Sequence, residues 1–132
     1  MNVFGDSSAF YSYLDKQDSQ HLRAKAQMSS LIQSNDVVVS SNYIIVETIA
    51  LIQRRLGFDA VKDFQEIIAP LLSVYFVNKE LHQKGAEIFL QERRRNLSLV
   101  DCVSFELMKQ LGLQKAFAFD KHFEEQGFQL LD

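Results

Sequence analysis

The chain has 132 residues, of which 47% are hydrophobic and 23% are charged, and its formal net charge is −3. The length predicts one domain over residues 1–132, and the composition excludes a disordered or fibrous protein. The acidic balance gives no support to nucleic-acid binding through a general positive field, and the lone Cys102 excludes an internal disulfide and a cysteine-based zinc site.

Strands and helices alternate along the predicted chain. In chain order the predicted elements are a strand over 2–4, a helix over 7–14, a helix over 19–34, a strand over 36–41, helices over 42–57 and 58–72, a strand over 73–77, helices over 79–95 and 98–112, a strand over 116–119, a short helix over 121–126 and a strand over 128–131. This alternation predicts an α/β fold in which helices flank a central, mainly parallel β-sheet on both sides. The second helix is expected to turn five apolar side chains inward: Leu22, Ala26, Met28, Leu31 and Ile32.

No segment approaches the roughly 20 apolar residues that cross a bilayer, and the N-terminus lacks the pattern of a secretory signal. We therefore expect a cytoplasmic protein without a membrane partner.

Two carboxylates follow short apolar segments that read as strands. Asp6 comes after "NVFG" and Asp120 after "AFAF". In open α/β sheets, ligands bind at the carboxyl ends of the strands. If the two strands are neighbours, the two carboxylates face each other across one crevice. The alternative is that each residue only starts the helix that follows it.

Two further carboxylates lie inside predicted helices among apolar residues. Glu47 has mostly apolar neighbours three and four positions away, so it projects from an apolar face, where an ionised carboxylate costs several kcal/mol unless something compensates it. Asp101 has a similar setting, but it also lies three residues after Ser98 and fits the acidic half of a capping box.

Four converging carboxylates require a cation, because repulsion between them raises their pKa values in an empty site. Ligation by oxygen alone indicates Mg²⁺ or Mn²⁺ rather than zinc. Such a site suits phosphodiester hydrolysis by a metal-activated water. A set of basic residues then has either of two roles, contact with a phosphate backbone or a solvated surface: Arg93, Arg94, Arg95, Lys115, Lys121 and His122.

The sequence resembles the PIN-domain family, and within it the VapC-type toxin ribonucleases of toxin–antitoxin pairs. The resemblance rests on four stretches: "DSSAF", "ETIALIQRRLG", "LSLVDCVSFELMKQLG" and "AFAFDKHFEEQGF". It implies a PIN fold in which the catalytic, metal-binding acids are Asp6, Glu47, Asp101 and Asp120. It also implies that the hydroxyl of Ser7 orients the first acid or a bound water.

The same resemblance implies cleavage of RNA with Mg²⁺ or Mn²⁺, a homodimer, and inhibition by a small antitoxin laid across the active-site groove. One departure is Gly5, where the family more often has a bulkier apolar residue, and we expect it to loosen the end of the first strand. Two alternatives stay open. One is a PIN nuclease of RNA processing or decay outside a toxin system. The other is a non-catalytic RNA-binding PIN domain, which the retention of all four acids disfavours.

Overall fold

A five-stranded parallel β-sheet forms the centre of the computed structural model, which describes residues 1–132. Its strands are β1 (Asn2–Gly5), β2 (Val37–Ser41), β3 (Leu72–Tyr75), β4 (Lys115–Phe117) and β5 (Gln129–Leu130). They lie in the order β3-β2-β1-β4-β5, and every neighbouring pair is parallel. The α/β prediction is therefore confirmed.

Seven α-helices connect these strands. They are α1 (Ser7–Leu14), α2 (His21–Gln33), α3 (Asn42–Arg55), α4 (Phe58–Asp63), α5 (Lys79–Glu92), α6 (Leu99–Leu111) and α7 (His122–Glu125). Parallel crossovers are right-handed, so connections that step across the sheet in opposite directions place their helices on opposite faces. The steps from β1 to β2 and β3 put α1 to α4 on one face. The steps from β3 to β4 and β5 put α5 to α7 on the other.

Side-chain caps fix the points at which four of the helices begin. Asp6, Ser41, Asn78 and Ser98 each accept a hydrogen bond from a backbone N–H in the first turn of α1, α3, α5 and α6, respectively. The caps Asp6 and Ser41 come directly at the ends of β1 and β2. The first turns of α1 and α3 therefore lie at the carboxyl edge of the sheet.

The core lies between the sheet and its two helical layers and contains 25 buried apolar residues. Val3 and Phe4 in β1 and Ala116 and Phe117 in β4 are fully buried, because both faces of these central strands are covered. This explains why apolar residues follow one another in these strands instead of alternating with polar ones. None of the helices has the length and apolar character needed to cross a membrane.

The predicted inward face of α2 was partly wrong. Leu22 and Ile32 are 79% and 54% exposed, and Ala26 is also exposed. The buried positions are Ala24, Gln27, Met28 and Leu31. These four follow the spacing of a narrow helical stripe, whereas the prediction counted nearly every apolar residue as inward.

Two helix boundaries also differ from the prediction. The helix α5 ends at Glu92 instead of continuing to residue 95, and Arg93 has a left-handed backbone with φ of 51°. The chain must reverse here to reach Ser98 and start α6, so Arg93–Arg95 lie in a loop. The segment predicted as one helix over 58–72 consists of α4, a π-helical turn at Phe64–Ile68 and a 3₁₀ turn at Ala69–Leu71 that contains Pro70.

Candidate active site at the carboxyl edge of the sheet

The first carboxylate of the site, Asp6, is fixed by the pairing of β1 with β4. Gly5 pairs with Phe117, and the backbone N–H of Asp6 donates to the Phe117 carbonyl at 3.0 Å. The Asp6 side chain is only 3% exposed. It accepts hydrogen bonds from the backbone N–H and the hydroxyl of Ser8, at 3.2 and 2.6 Å. Asp6 is thus the N-cap of α1 and at the same time a buried carboxylate at the sheet edge.

Two successive serines hold two different carboxylates. The Ser7 hydroxyl, expected to orient either the first acid or a bound water, donates to Glu47 at 2.5 Å and not to Asp6. Ser8 orients Asp6 and also accepts a hydrogen bond from the Phe119 N–H at 3.0 Å. The only sequence signal for this division was the pair of hydroxyls in the first turn of a helix.

The third carboxylate, Asp101, forms the capping box that was the alternative to a site role. The Asp101 N–H donates to the Ser98 hydroxyl, and the Ser98 N–H donates to the Asp101 carboxylate, both at 3.0 Å. The same carboxylate lies 3.7 Å from Nδ1 of His122 and faces the other acids. The capping role and the place in the cluster therefore do not exclude each other.

The fourth carboxylate, Asp120, lies beyond β4 in the turn that leads into α7. It accepts the His122 N–H at 3.0 Å, and this bond folds the turn so that the imidazole lies beside the acids. One ligand atom each from Asp101, Asp120 and His122 fall within 4.8 Å of one another. His122 therefore faces inward, toward the carboxylates.

Electrostatic coupling joins the four carboxylates into one cluster. The pKa of Asp6 is raised to about 7, mainly by burial, with smaller contributions from the negative charges of Asp101 and Glu47. Burial also raises the pKa of Glu47, with added repulsion from Asp101 and Asp120. The pKa of Asp101 is raised by burial and by the charge of Asp120. Each carboxylate repels at least one of the others, so the cluster is poorly compensated by the chain itself.

These residues fit a divalent cation. The carboxylates supply the oxygen ligands that Mg²⁺ and Mn²⁺ take, and a cation removes the repulsion that raises the pKa values. In addition, Nδ1 of His122 is buried without a hydrogen-bond partner, as expected for an atom whose partner is a bound ion.

Five of the six basic residues predicted to contact substrate lie in the loop before α6 or at the start of α7, whereas Lys115 begins β4 at the amino edge of the sheet, away from the acids. Arg93 and Arg95 are exposed in the loop before α6, and Lys121 is exposed between Asp120 and His122. Arg94 is half-buried and pairs with Glu125 of α7 at 3.4 Å.

Gly5 tightens the first strand rather than loosening it. A Cβ atom at this position would lie 2.5 Å from Cζ of Phe10 and 2.8 Å from Cγ1 of Val38. The Phe10 ring therefore occupies the space that a bulkier residue would fill. The Ser40 hydroxyl also donates to the Gly5 carbonyl at 2.9 Å.

Comparison with known proteins gives a consistent picture. The family model for the PIN domain matches residues 3–129. The chain is 32% identical over 127 residues to the 23S rRNA-specific endonuclease VapC20 of Mycobacterium tuberculosis, and the match covers 96% of this chain and 95% of the relative. The crystal structure of VapC20, described as a sarcin-ricin loop cleaving toxin, matches with a TM-score of 0.83 and the same coverage.

Two more distant structures share the fold. FitAcB from Neisseria gonorrhoeae has a TM-score of 0.69 at 16% identity and covers 100% of this chain and 97% of that one. VapBC2 from Rickettsia felis, solved with a DNA fragment from its promoter, has a TM-score of 0.71 at 10% identity, with coverage of 99% and 98%. At these identities the likeness concerns the fold alone.

Proposed function

This chain belongs to the PIN-domain family, and we propose that it is a divalent-metal-dependent endoribonuclease, the toxin of a VapBC-type toxin–antitoxin pair, with residues 1–132 acting as one PIN domain. The observation that carries the proposal is the convergence of Asp6, Glu47, Asp101 and Asp120 at one edge of a parallel sheet, where α/β folds bind ligands. Likeness to a 23S rRNA-specific endonuclease over nearly the whole chain supports RNA as the substrate.

In this proposal the four carboxylates hold Mg²⁺ or Mn²⁺. When bound, such a cation neutralises the cluster, stabilises charge on a phosphate and lowers the pKa of a coordinated water so that it can act as the nucleophile. The chain contributes the placement of the acids. Ser8 fixes Asp6, Ser7 fixes Glu47, and the capping box fixes Asp101. Because backbone caps and buried hydroxyls set these orientations, the site is organised before substrate arrives.

The loop before α6 and the start of α7 provide the substrate contacts of this proposal. Arg93, Arg95 and Lys121 are exposed on the segments that lead into α6 and α7, which carry Asp101 and His122, and are able to contact the phosphate backbone of RNA. Arg94 is held by Glu125, so its guanidinium is presented in a defined place. A local basic rim of this kind explains how a chain of net charge −3 attracts a polyanion.

The relatives support an RNA substrate and an antitoxin partner, and we extend the proposal to the oligomeric state and the location. We place the protein in the cytoplasm as a homodimer that a small antitoxin inhibits across the active-site groove. Since VapC20 is described as cleaving the sarcin-ricin loop of 23S rRNA, that loop is the first RNA to test.

The deciding experiment compares cleavage of ribosomes and of total RNA by antitoxin-free protein with Mg²⁺, Mn²⁺ or EDTA. Asp101→Asn removes a carboxylate of the cluster but keeps a capping acceptor. Glu106→Gln is the matched control, because Glu106 lies on the same helix and pairs only with Lys109, at 3.8 Å. We expect metal-dependent cleavage at discrete sites that Asp101→Asn abolishes and Glu106→Gln retains. A folded, metal-bound protein that cleaves neither sample would contradict the proposal.

A further inference from the structure

The imidazole of His122 is largely buried, whereas a side chain that contacts phosphate from the protein surface would face solvent. Its side chain is 13% exposed, and its Nδ1 atom lies 3.0 Å from Oδ1 of Asp120 and 3.7 Å from Oδ2 of Asp101. The backbone bond from His122 to Asp120 fixes the turn that brings the ring there. The ring is thus held against two carboxylates of the proposed metal site.

The short distance to Asp120 is not a hydrogen bond. Nδ1 of His122 is buried and has no hydrogen-bond partner, because the ring N–H direction does not point at the Asp120 oxygen. Leaving a buried nitrogen without a partner is unfavourable. Nδ1 of His122 and Oδ1 of Asp120 would also lie this close together if both bound the same cation. Adjacent ligands of an octahedral ion at about 2.1 Å lie about 3.0 Å apart, and opposite ligands about 4.2 Å apart. The 3.0 Å distance from Nδ1 to Asp120 equals that between adjacent ligands, and the 3.7 Å distance to Asp101 lies between the adjacent and the opposite values.

We propose that Nδ1 of His122 is a nitrogen ligand of the divalent cation that Asp101 and Asp120 bind, which makes the site a mixed oxygen and nitrogen site. This inference rests on the proposed function, because it concerns the same metal. It replaces the all-oxygen ligand set expected from the sequence. It also assigns His122 to the metal rather than to the RNA.

The other ring nitrogen has the surroundings of a metal-bound histidine. Metal-ligating histidines commonly donate their second N–H to a carboxylate, which fixes the tautomer and leaves the other nitrogen free for the ion. Nε2 of His122 lies 4.0 Å from Oε1 of Glu125, and that same oxygen is 3.4 Å from Nη2 of Arg94. The Glu125 carboxylate is thus on the side of the imidazole where the N–H is required, although at 4.0 Å the two side chains must approach each other to form a hydrogen bond.

A nitrogen ligand changes which metals the site prefers. Mg²⁺ takes oxygen ligands almost exclusively, whereas imidazole binds divalent transition metals, whose affinity for nitrogen sites rises along the series from Mn²⁺. Removing the imidazole should therefore weaken Mn²⁺ binding more than Mg²⁺ binding. We expect His122→Gln to lower Mn²⁺ affinity at least tenfold, in line with the roughly 10–100-fold losses that follow even from changes around metal ligands.

The test uses tag-free protein with less than one equivalent of Mn²⁺ and no substrate. Electron spin-echo envelope modulation detects ¹⁴N nuclei bound directly to Mn²⁺, and calorimetry gives the Mn²⁺ and Mg²⁺ affinities. His122→Gln is compared with His21→Gln, whose ring contacts the Ser12 carbonyl at the other end of α1. Selective ¹⁵N labelling of histidine in the wild-type protein identifies the nitrogen as imidazole without relying on the folding of a variant.

Directly bound histidine nitrogen in the wild type, lost in His122→Gln and kept in His21→Gln, supports the inference. Mn²⁺ that binds with only oxygen ligands, or nitrogen coupling that survives His122→Gln, overturns it while leaving the proposed nuclease intact. A wild-type protein that binds no Mn²⁺ overturns both, and this outcome separates failure of the metal site from failure of the ligand assignment.

Discussion

Asp6→Asn tests whether the buried carboxylate cluster destabilises the metal-free protein. The folded chain raises the pKa of Asp6 from 3.8 to about 7, with burial as the main cause and the charges of Asp101 and Glu47 as further causes. Between pH 4 and 7 the folded state therefore keeps a proton that the unfolded state releases. The contribution of Asp6 to the free energy of unfolding therefore falls as pH rises through this window and is constant above it.

The size of this effect follows from the pKa difference. A difference of about 3 in pKa, at about 1.4 kcal/mol for each, gives about 4 kcal/mol of lost stability once Asp6 is ionised. Asparagine has the same shape and retains an oxygen that accepts from the N–H and hydroxyl of Ser8, so the cap of α1 is preserved. Asp6→Asn should consequently be more stable than the wild type by about 4 kcal/mol at pH 8 and nearly equal to it at pH 4.

Urea denaturation in EDTA at pH 4, 6 and 8 measures this difference. The chain has no tryptophan, so far-UV circular dichroism is the appropriate signal. Glu47 and Asp101 also have raised pKa values, and for this reason the difference between the two proteins, not the wild-type slope, isolates Asp6. A difference that is independent of pH, or a variant less stable than the wild type at pH 8, would refute the reasoning.

Three further predictions concern the cluster, its basic rim and the packing of the first strand. Asp101→Asn should abolish cleavage. The stability of the metal-free protein should stay unchanged or rise, because the helix cap survives and the repulsion between the acids falls. A clearly destabilised but active variant would favour a purely structural role for Asp101. The double variant Arg94→Ala, Arg95→Ala should bind RNA more weakly. Binding measured at several salt concentrations should show that the slope of log K against log salt falls by about 1 for each phosphate that the variant no longer neutralises. An unchanged slope would mean that these residues only form a solvated surface. Gly5→Ala should lower the free energy of unfolding in urea by about 1–3 kcal/mol, because the added Cβ meets the Phe10 ring. Adding Phe10→Leu to this variant should recover part of that stability. A Gly5→Ala variant as stable as the wild type would show that the ring moves freely.

The sequence predicted the sheet and the helix starts because these depend on local patterns. β-branched and apolar runs mark the buried strands, and residues such as Asp6, Ser41 and Ser98 have the capping side chains that begin helices. The places of Asp6 and Asp120 after two strands then predicted that these two acids meet at one edge of the sheet, and the resemblance added Glu47 and Asp101 to them. Parallel topology makes this inference possible, since the carboxyl ends of all the strands lie at the same edge.

The details that the sequence missed depend on contacts between distant segments. Ser7 and Ser8 are chemically identical neighbours, and only the packing of α1 between α3 and β4 decides that one contacts Glu47 and the other Asp6. The direction of the His122 ring depends on the turn after Asp120, for which periodicity gives no signal. The role of Gly5 follows from the position of the Phe10 ring, five residues further along the chain but folded back over the strand.

The distribution of polar groups shows how the fold tolerates a destabilising site. Three of the clustered acids have raised pKa values and no Lys or Arg partner: Asp6, Glu47 and Asp101. At neutral pH the chain alone therefore leaves their mutual repulsion uncompensated. Each is nevertheless held by a hydrogen bond: Asp6 and Asp101 accept from backbone N–H groups at helix starts, which stabilises α1 and α6 whether or not a cation is present, and Glu47 accepts from the Ser7 hydroxyl. The same residues therefore carry two opposing contributions, a favourable local one from capping and an unfavourable collective one from repulsion. A divalent cation removes only the second contribution, and for that reason metal binding should raise the stability of the wild-type protein without changing its structure.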